Sequence, residues 1–274
     1  MSDSSLPLAG CSVIVCRAEA DASSLLDRLR ALGADPVSVP FKHRVPPADG
    51  GRALRQALGR LDTYHWVAFT SANGVRATAE AGAEIAAGVR FEAGDLAGRR
   101  AEGLSIPAST RIAVVGEATA AAVAAAGWAE DLVAPVATAA ALAAAFPPVD
   151  PDQPGQRVLA PLAELASDDL CSGLVDRGYL VDRVDAYRMQ PTVVSSDQRA
   201  ALERADAVLL TAPSLVDSLV EGFAPAERPR TVVCIGPTTA ARARHRGIEA
   251  PLVATVHNER GLVEALIDSH HPTP

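Results

Sequence analysis

The chain contains two diverged copies of one pattern, and this internal repeat constrains the fold more than any other feature. In the first part of the pattern, one valine, two leucines and one glycine recur at a spacing of 145 positions: Val13, Leu25, Leu29 and Gly33 correspond to Val158, Leu170, Leu174 and Gly178. The second part pairs VAFTSANGV (67–75) with VLLTAPSLV (208–216) at a spacing of 141, and the third pairs IAVVGEATAAA (112–122) with VVCIGPTTAAR (232–242) at 120. Two related halves predict two similar domains, and the space between such domains is a natural small-molecule site.

Short apolar strands alternate with helices in each copy. Residues 13–15 predict a strand, and the helix after it has a leucine stripe that Asp21 or Ser23 is expected to cap and Gly33 to end. Two further buried strands, the first at 66–69, are each followed by a helix, and the second copy repeats this order. Because β and α segments alternate, we predict an α/β fold with parallel sheets and helices on both faces.

Two extended segments interrupt this alternation. PVSVPFKHRVPP (36–47) and LVDRVDAYRMQP (180–191) end at prolines and alternate in polarity, so neither suits a helix. We interpret both as strand-like crossovers between the domains. The copies also differ in length: Thr70 to Gly116 spans 46 positions and Thr211 to Gly236 spans 25, and the 21 extra positions predict a surface insertion within 84–109.

Composition limits the class of partner. The net charge of −8 argues against binding to nucleic acid or to an anionic membrane surface, since both favour clustered cations. The first ten residues lack the basic start of a signal peptide, and no run of about 18 apolar residues predicts a membrane span. We therefore expect a cytoplasmic protein. The four cysteines form no CxxC motif and are expected to be buried free thiols.

Small polar residues join four predicted strands directly to the helices that follow. These turns are Thr70-Ser71-Ala72-Asn73, Gly116-Glu117-Ala118-Thr119, Thr211-Ala212-Pro213-Ser214 and Gly236-Pro237-Thr238-Thr239. Such turns place amides and hydroxyls at helix N-termini on the carboxyl edge of a parallel sheet, where α/β proteins bind ligands. Amides there suit carboxylate or phosphate groups. For any one turn, simple capping of the helix is the alternative interpretation.

Cofactor fingerprints are missing from the sequence. No GxGxxG follows the first strand, and neither a GxxxxGK[ST] loop, a GxSxG elbow nor an HExxH pair occurs. An enzyme built on this chain would hold a reactive substrate in a defined geometry rather than use a dense catalytic cluster.

The order of five short motifs resembles one known family. FTSANGV (69–75), VGEAT (115–119), IGPTTA (235–240), GLVEAL (261–266) and the crossover ending in AYR (186–188) are similar to the uroporphyrinogen-III synthase family, as is the leading segment that contains Arg17. The similarity runs from about residue 12 to residue 267. It implies two similar flavodoxin-like domains with parallel sheets, joined by a two-stranded linker.

The resemblance also implies that the chain crosses between its domains. Residues 1–38 and 190–274 would form one domain, residues 47–182 the other, and the linker strands would be 39–46 and 183–189. A continuous split near residue 150 is the alternative, because VDPDQPGQ (149–156) also has the composition of a linker.

The reaction implied by the resemblance starts from hydroxymethylbilane, a linear tetrapyrrole with eight carboxylates. The enzyme, a cyclising hydro-lyase of haem biosynthesis, promotes loss of the terminal hydroxyl, inverts the last pyrrole ring through a spiro intermediate and closes the macrocycle. The resemblance implies a monomer with no cofactor and no metal. A non-catalytic, two-domain small-molecule-binding or regulatory module is the alternative, although no helix-turn-helix, basic patch or export signal supports it.

The resemblance assigns roles to particular residues. Tyr187 matches the crossover tyrosine of the family and would assist departure of the hydroxyl, unless it only packs on the domain edge. The substrate-binding positions implied are Arg17, Thr70, Ser71, Asn73, Thr119, Arg188, Thr211, Ser214, Gly236, Thr238 and Thr239. One loop departs from the family, because Pro161-Leu162-Ala163-Glu164 follows a strand where many members have arginine or glycine.

Overall fold

The computed structural model describes residues 6–88, 104–149 and 155–270 of the chain. Its contacts divide the chain into two compact units: unit 1 comprises Met1–His43 and Gln190–Pro274, and unit 2 comprises Arg44–Met189. These limits lie within a few residues of the predicted domains, whose independence as folding units stays a prediction. The predicted insertion at 84–109 and the alternative linker at 149–156 both lie partly outside the described residues.

The described residues form alternating strands and helices. In chain order the elements are β1 (Ser12–Val15), α1 (Glu19–Ala31), β2 (Asp35–Ser38), β3 (Lys42–Val45), α2 (Arg52–Leu58), β4 (Trp66–Phe69), α3 (Ala72–Ala86), β5 (Arg111–Val114), α4 (Glu117–Ala125), β6 (Leu132–Val133), α5 (Ala139–Ala145), β7 (Arg157–Ala163), α6 (Asp169–Asp176), β8 (Leu180–Pro191), α7 (Ser196–Arg204), β9 (Ala207–Leu210), α8 (Pro213–Gly222), β10 (Thr231–Cys234), α9 (Pro237–His245), β11 (Leu252–Val253) and α10 (Glu259–His270). Two short 3-10 helices, Leu61–Thr63 and Pro225–Glu227, precede β4 and β10.

Unit 1 is built on a five-stranded parallel sheet in the order β11-β10-β9-β1-β2. Alternate residues of its strands bury opposite faces, as strand geometry requires. Ile14 and Val208 belong to the core on one face, whereas Val13 and Leu209 belong to the core on the other. Because both faces are covered by apolar contacts, the strands read as continuous hydrophobic runs.

Unit 2 is built on a six-stranded sheet in the order β3-β8-β7-β4-β5-β6, and its strands from β8 to β6 are parallel. Val67 and Phe69 of β4 lie in one core, and Trp66 and Ala68 lie in the other. The α/β fold with parallel sheets is therefore confirmed. Residues 183–187 of the segment predicted as a linker strand belong to the part of β8 that pairs with β7.

The start of α1 differs from the sequence-based prediction. The helix begins at Glu19, and its N-cap is Ala18, which makes no side-chain cap bond, so the predicted cap at Asp21 or Ser23 is wrong. Two acidic residues in the first turn complement the positive end of the helix instead. Gly33 ends the helix as predicted, with a φ of 88° that favours glycine.

The cysteines are free thiols, of which Cys11, Cys16 and Cys234 are buried and Cys171 is half-buried. Burial raises the pKa of Cys11 to about 11, with a further contribution from Asp206, and the pKa of Cys234 also to about 11. A raised pKa keeps each thiol protonated near neutral pH, where it is a weak nucleophile. Separately, within the described residues no helix has both the length and the apolar character to cross a membrane.

Candidate active site

All four predicted turns lie at the carboxyl ends of parallel strands. In unit 2, β4 leads through Thr70 and Ser71 into α3, and β5 leads through Gly116 into α4. In unit 1, the turn at Thr211 joins β9 to α8, and the turn at Gly236 joins β10 to α9. Because β4 is parallel to β5, and β9 is parallel to β10, each unit gathers its two turns at one edge of its sheet.

Side-chain capping explains only one of these turns. The Ser71 side chain accepts a hydrogen bond from the Gly74 amide at 3.1 Å and so caps α3. The N-caps of α4, α8 and α9 are Gly116, Ala212 and Gly236, and none of them makes a side-chain cap bond. Because α8 and α9 begin at Pro213 and Pro237, which have no N–H, the first amide N–H of their first turns belongs to Ser214 and Thr238, whereas in α4 it belongs to Glu117. Amides at a helix start without a side-chain cap suit an anionic group.

Tyr187 is tied to the start of α3. Its phenol oxygen shares a hydrogen bond of 3.0 Å with Ser71 Oγ, and its side chain is only 6% exposed. The ring packs in the core cluster that contains Phe69 and Val75. The sequence placed this tyrosine on a crossover, but its bond to Ser71 links two segments 116 positions apart and could not be predicted from spacing.

A bulge in β8 determines which way Tyr187 points. Leu162 pairs with Asp185, but the next residue, Ala163, pairs with Tyr187, so Ala186 is an extra residue in the strand. Successive strand residues point to opposite faces, and one extra residue changes the face of every later side chain. The bulge thereby allows the tyrosine to reach Ser71 while the Tyr187 carbonyl still accepts a hydrogen bond from the Glu164 amide at 2.9 Å.

The other predicted residues of unit 2 surround this edge with mixed accessibility. Thr70 and Asn73 are half-buried, and the Asn73 side chain accepts a hydrogen bond from Arg76 at 3.3 Å. Arg188 is half-buried and donates from Nε to the Pro46 carbonyl at 3.2 Å. These contacts hold the side chains in place near the strand ends.

Thr119 and Thr239 are the least accessible of the predicted hydroxyl residues. They occupy the same position in α4 and α9, and their exposures are 3% and 2%. A ligand therefore reaches the outer amides of these helices more readily than the two hydroxyls. Thr238 and Ser214 are exposed, while Thr211 is half-buried and Gly236 is buried.

Arg17 lies at the carboxyl end of β1 and forms an ion pair that the sequence did not predict. Its Nη1 is 2.7 Å from Glu259 Oε1, and the two side chains are 33% and 35% exposed. The Arg17 carbonyl accepts a hydrogen bond from Ser38 at 2.7 Å, which fixes the backbone there. Glu259 is the first residue of α10. The start of this helix is capped by Asn258, whose Oδ1 accepts a hydrogen bond from the Gly261 amide at 2.9 Å. An asparagine just before a helix is a sequence signal for such a cap. No sequence signal indicates that the next residue, Glu259, contacts Arg17.

A separate polar network lies at the opposite, amino edge of the unit 2 sheet. Asp182 Oδ2 accepts hydrogen bonds from the Tyr64 hydroxyl and from Arg157, each at 2.5 Å, and from Arg60 at 3.2 Å. Burial alone would raise the pKa of the Asp182 carboxyl, but the hydrogen bonds from Tyr64 and Arg157 outweigh it and lower the pKa. This network ties the start of β8 to the segment before β4.

Within residues 6–88, 104–149 and 155–270, no group of three or more histidine, cysteine, aspartate or glutamate side chains is arranged to hold a metal ion.

Known proteins have sequences related to that of this chain. The family described as uroporphyrinogen-III synthase HemD matches residues 23–264. The porphyrin biosynthesis protein HemD of Ruminiclostridium josui is 26% identical over 268 residues, which cover 96% of this chain and 48% of that protein. The uroporphyrinogen-III synthase of Synechococcus elongatus is 29% identical over 209 residues, which cover 75% of this chain and 71% of that protein. The chain thus spans about half the length of the first relative and most of the second.

A solved structure supports the fold. The uroporphyrinogen-III synthetase from Helicobacter pylori 26695 is similar with a TM-score of 0.58 and 15% identity, over 94% of this chain and 99% of that one. At this identity the likeness bears on the fold alone. The family match is the stronger finding, since it extends over most of the sequence and includes all four turns. It confirms the predicted family: the chain belongs to the uroporphyrinogen-III synthase family.

Proposed function

We propose that this chain converts hydroxymethylbilane to uroporphyrinogen III, with loss of water and inversion of the last pyrrole ring. The observation that carries the proposal is the family match over residues 23–264, which includes segments of both units. The non-catalytic binding module is not favoured, because the relatives with similar sequences are proteins of porphyrin biosynthesis.

The uncapped helix N-termini are the proposed sites for the substrate carboxylates. The first turns of α4 in unit 2, and of α8 and α9 in unit 1, have no side-chain cap, and after the prolines that open α8 and α9 the first amide N–H groups are those of Ser214 and Thr238. Each helix end carries a partial positive charge that favours an anion by about 0.3–1 kcal/mol, and more where the site is partly buried. A substrate with many carboxylates needs several such sites, and backbone amides supply them even on a protein with a net charge of −8.

Side chains near the same edges would complete these contacts. Arg17 and Arg188 would pair with carboxylates, since a guanidinium can bind a carboxylate through two parallel hydrogen bonds. Thr70, Asn73, Thr211, Ser214 and Thr238 would donate or accept single hydrogen bonds, and Gly236 would contribute its backbone. Thr119 and Thr239, being almost fully buried, would act mainly by supporting the turns.

Tyr187 is the proposed acid that assists departure of the hydroxyl. The Gly74 amide donates to Ser71 Oγ, so the serine proton can be directed to the Tyr187 oxygen. In that orientation the phenol proton is left to donate to the leaving hydroxyl of the substrate. The electron-rich pyrrole expels the hydroxyl largely by itself, and the protein mainly supplies a folded substrate geometry. We propose no cofactor and no metal for this reaction, and a monomeric, cytoplasmic protein.

Product identity tests the proposal directly. Purified protein treated with a chelator is incubated with freshly prepared hydroxymethylbilane, and the porphyrin isomers are separated after oxidation. We expect the type III isomer in the presence of folded protein and the type I isomer with heat-unfolded protein, because closure without the enzyme proceeds without inversion. Formation of the type I isomer alone, at the rate of the heat-unfolded control, would refute the proposal.

A further inference from the structure

The ion pair between Arg17 and Glu259 engages only part of the arginine. Nη1 contacts Glu259 Oε1 at 2.7 Å, and in the described parts of the chain the other guanidinium nitrogens have no acceptor. A guanidinium has five N–H donors arranged as a fork that matches a carboxylate. The glutamate therefore uses one donor position and leaves most of the fork open.

The pair is also accessible enough to exchange. Both side chains are about one-third exposed, and ion pairs in such surroundings contribute little, because solvent screens them and two long side chains must be held still. A carboxylate that binds the guanidinium through two parallel hydrogen bonds makes a stronger contact than a single bond. A bidentate carboxylate from solution can thus replace Glu259 at small cost.

Only unit 1 carries this charge arrangement. Position 17 of the first copy corresponds to Leu162 of the second (17 + 145), and position 259 corresponds to Ala139 (259 − 120), and neither residue is charged. Helices α5 and α10 are otherwise alike at their starts. The Ala141 amide donates to Thr138 Oγ1 in α5, and the Gly261 amide donates to Asn258 Oδ1 in α10. The pair is therefore not needed to build this helix start.

We propose that Glu259 is an internal substitute for a substrate carboxylate: it occupies the carboxylate-binding position on Arg17 until the substrate displaces it. This inference rests on the proposed function, since it needs a substrate that carries carboxylates. Glu259 then lowers the affinity for substrate. It pairs with the Arg17 guanidinium in the free protein, so the free energy needed to break this ion pair reduces the net binding free energy of the incoming carboxylate. No covalent step is involved.

The experiment compares Glu259→Gln with a matched variant on the same helix. Glu264→Gln removes the same charge from α10, but Glu264 pairs with Arg260 at 2.7 Å and does not contact Arg17. KM and kcat are measured for wild type and both variants, and each is repeated with Arg17→Gln. Thermal unfolding establishes that every variant is folded.

We expect Glu259→Gln to lower KM by about two- to fivefold, the range that corresponds to the strength of a partly exposed ion pair. Glu264→Gln should leave KM within the error of wild type, and Arg17→Gln should raise it. Glu259→Gln should have no effect once Arg17 is glutamine. An equal decrease for Glu259→Gln and Glu264→Gln, or a decrease that persists without Arg17, would mean general electrostatic repulsion and overturn the proposal. An increase in KM for Glu259→Gln would mean that the glutamate only positions the arginine, which also overturns it.

A binding measurement separates this inference from the proposed function. The probe is uroporphyrin III, a stable octacarboxylate, and its dissociation constant is measured by equilibrium dialysis for the same variants. If wild type produced only the type I isomer, the proposed function would fail, and the order of affinities would still decide the inference. Tighter binding by Glu259→Gln than by Glu264→Gln supports the exchange, whereas equal or no binding by the two variants refutes it.

Discussion

The two units share one scaffold down to the register of their strands. Val13 pairs with Ala207 in unit 1, and the residues that correspond to them in the repeat, Val158 and Trp66, pair in unit 2. The same holds for the pair Ala207 and Thr231 and its counterpart, Trp66 and Arg111. Because a slip of one residue would turn every core side chain to the wrong face, the shared register follows from the shared apolar pattern.

Polar residues at the carboxyl edges distinguish the units. Unit 2 has Ser71 where unit 1 has Ala212, and it has Tyr187 where the first copy has Lys42. Conversely, Arg17 of unit 1 corresponds to Leu162. The glycine N-caps of α4 and α9 are the same in both. The comparison teaches that the glycine-capped helix starts, which are proposed anion sites, are duplicated, whereas the proposed acid and the arginine pair each belong to one unit.

Each sheet also combines strands from both copies. Unit 1 takes β1 and β2 from the first copy and β9 to β11 from the second, and unit 2 does the reverse. Substitution of Leu25, fully buried in unit 1, should therefore loosen β9 and β10 rather than β4 and β5. Leu170, its counterpart in unit 2, should do the opposite.

The largest expected effect is on stability. Leu25→Ala and Leu170→Ala should each cost about 2–5 kcal/mol, because a buried leucine loses its contacts and leaves a cavity. Urea unfolding measures the total loss, and hydrogen exchange locates it. We expect faster exchange at 207–234 for Leu25→Ala and at 66–133 for Leu170→Ala. If Leu25→Ala accelerated exchange at 66–133 instead, the domains would be continuous in sequence and the division near residue 150 would be correct.

Turnover provides the next test, because the phenol has no counterpart in unit 1. Tyr187→Phe keeps the ring in its core cluster and removes only the hydroxyl. We expect a folded protein whose kcat falls by up to about 100-fold, the low end for positioned acid assistance, since the substrate is itself reactive. The type III isomer should remain the product, because geometry rather than acidity sets the inversion.

Ser71→Ala is the control for the tyrosine. It retains the phenol but removes its hydrogen-bond partner and the cap of α3, which typically costs about 1 kcal/mol of stability. Its effect on kcat should be smaller than that of Tyr187→Phe. Wild-type turnover by Tyr187→Phe would show that the tyrosine only packs and that the acid role is wrong.

Smaller losses are expected at the hydroxyl residues of the turns. Thr119→Ala and Thr239→Ala should each reduce the rate by about three- to tenfold, the equivalent of one neutral hydrogen bond of about 0.5–1.5 kcal/mol. Ser214→Ala, an exposed position, should fall at or below this range. Backbone amides remain after each change, so activity should persist. A loss of several thousandfold in all three folded variants would indicate direct chemistry by the hydroxyls.

The smallest effect concerns acid stability, and it should distinguish the units. Asp182 has a lowered pKa in unit 2, and it and its partner Tyr64 correspond to Val37 and Ala205 of unit 1, neither of which is charged. A lowered pKa contributes stability that is present above the ordinary carboxyl pKa of about 3.9 and is lost as pH falls through the lowered value. We expect a contribution of at most about 1 kcal/mol for this partly exposed group. Between pH 5 and pH 2, the protection of unit 2 amides against hydrogen exchange should fall less steeply with pH in Asp182→Asn than in wild type. Equal slopes for the two proteins would contradict this.

Sequence patterns by themselves determined the family and several of the strands and helices. Strand β4 was predicted at its observed residues, Gly33 ended the first helix, and the repeat predicted related domains, because apolar periodicity and glycine conformations are local properties. The positions of the four turns also followed from the sequence. The cap at Ala18 was missed because acidic residues within the first turn resemble caps.

Tertiary structure alone decided which side chains meet. The bulge at Ala186 directs Tyr187 to Ser71, and the fold brings Arg17 within 2.7 Å of Glu259 across 242 positions. It also buried Thr119 and Thr239, whose hydroxyls the sequence marked only as polar residues at a helix start. Contacts of this kind depend on how distant segments pack and on a single extra residue in one strand. Local sequence propensities do not specify the packing of distant segments or the position of such a bulge, so these contacts could be found only in the folded chain.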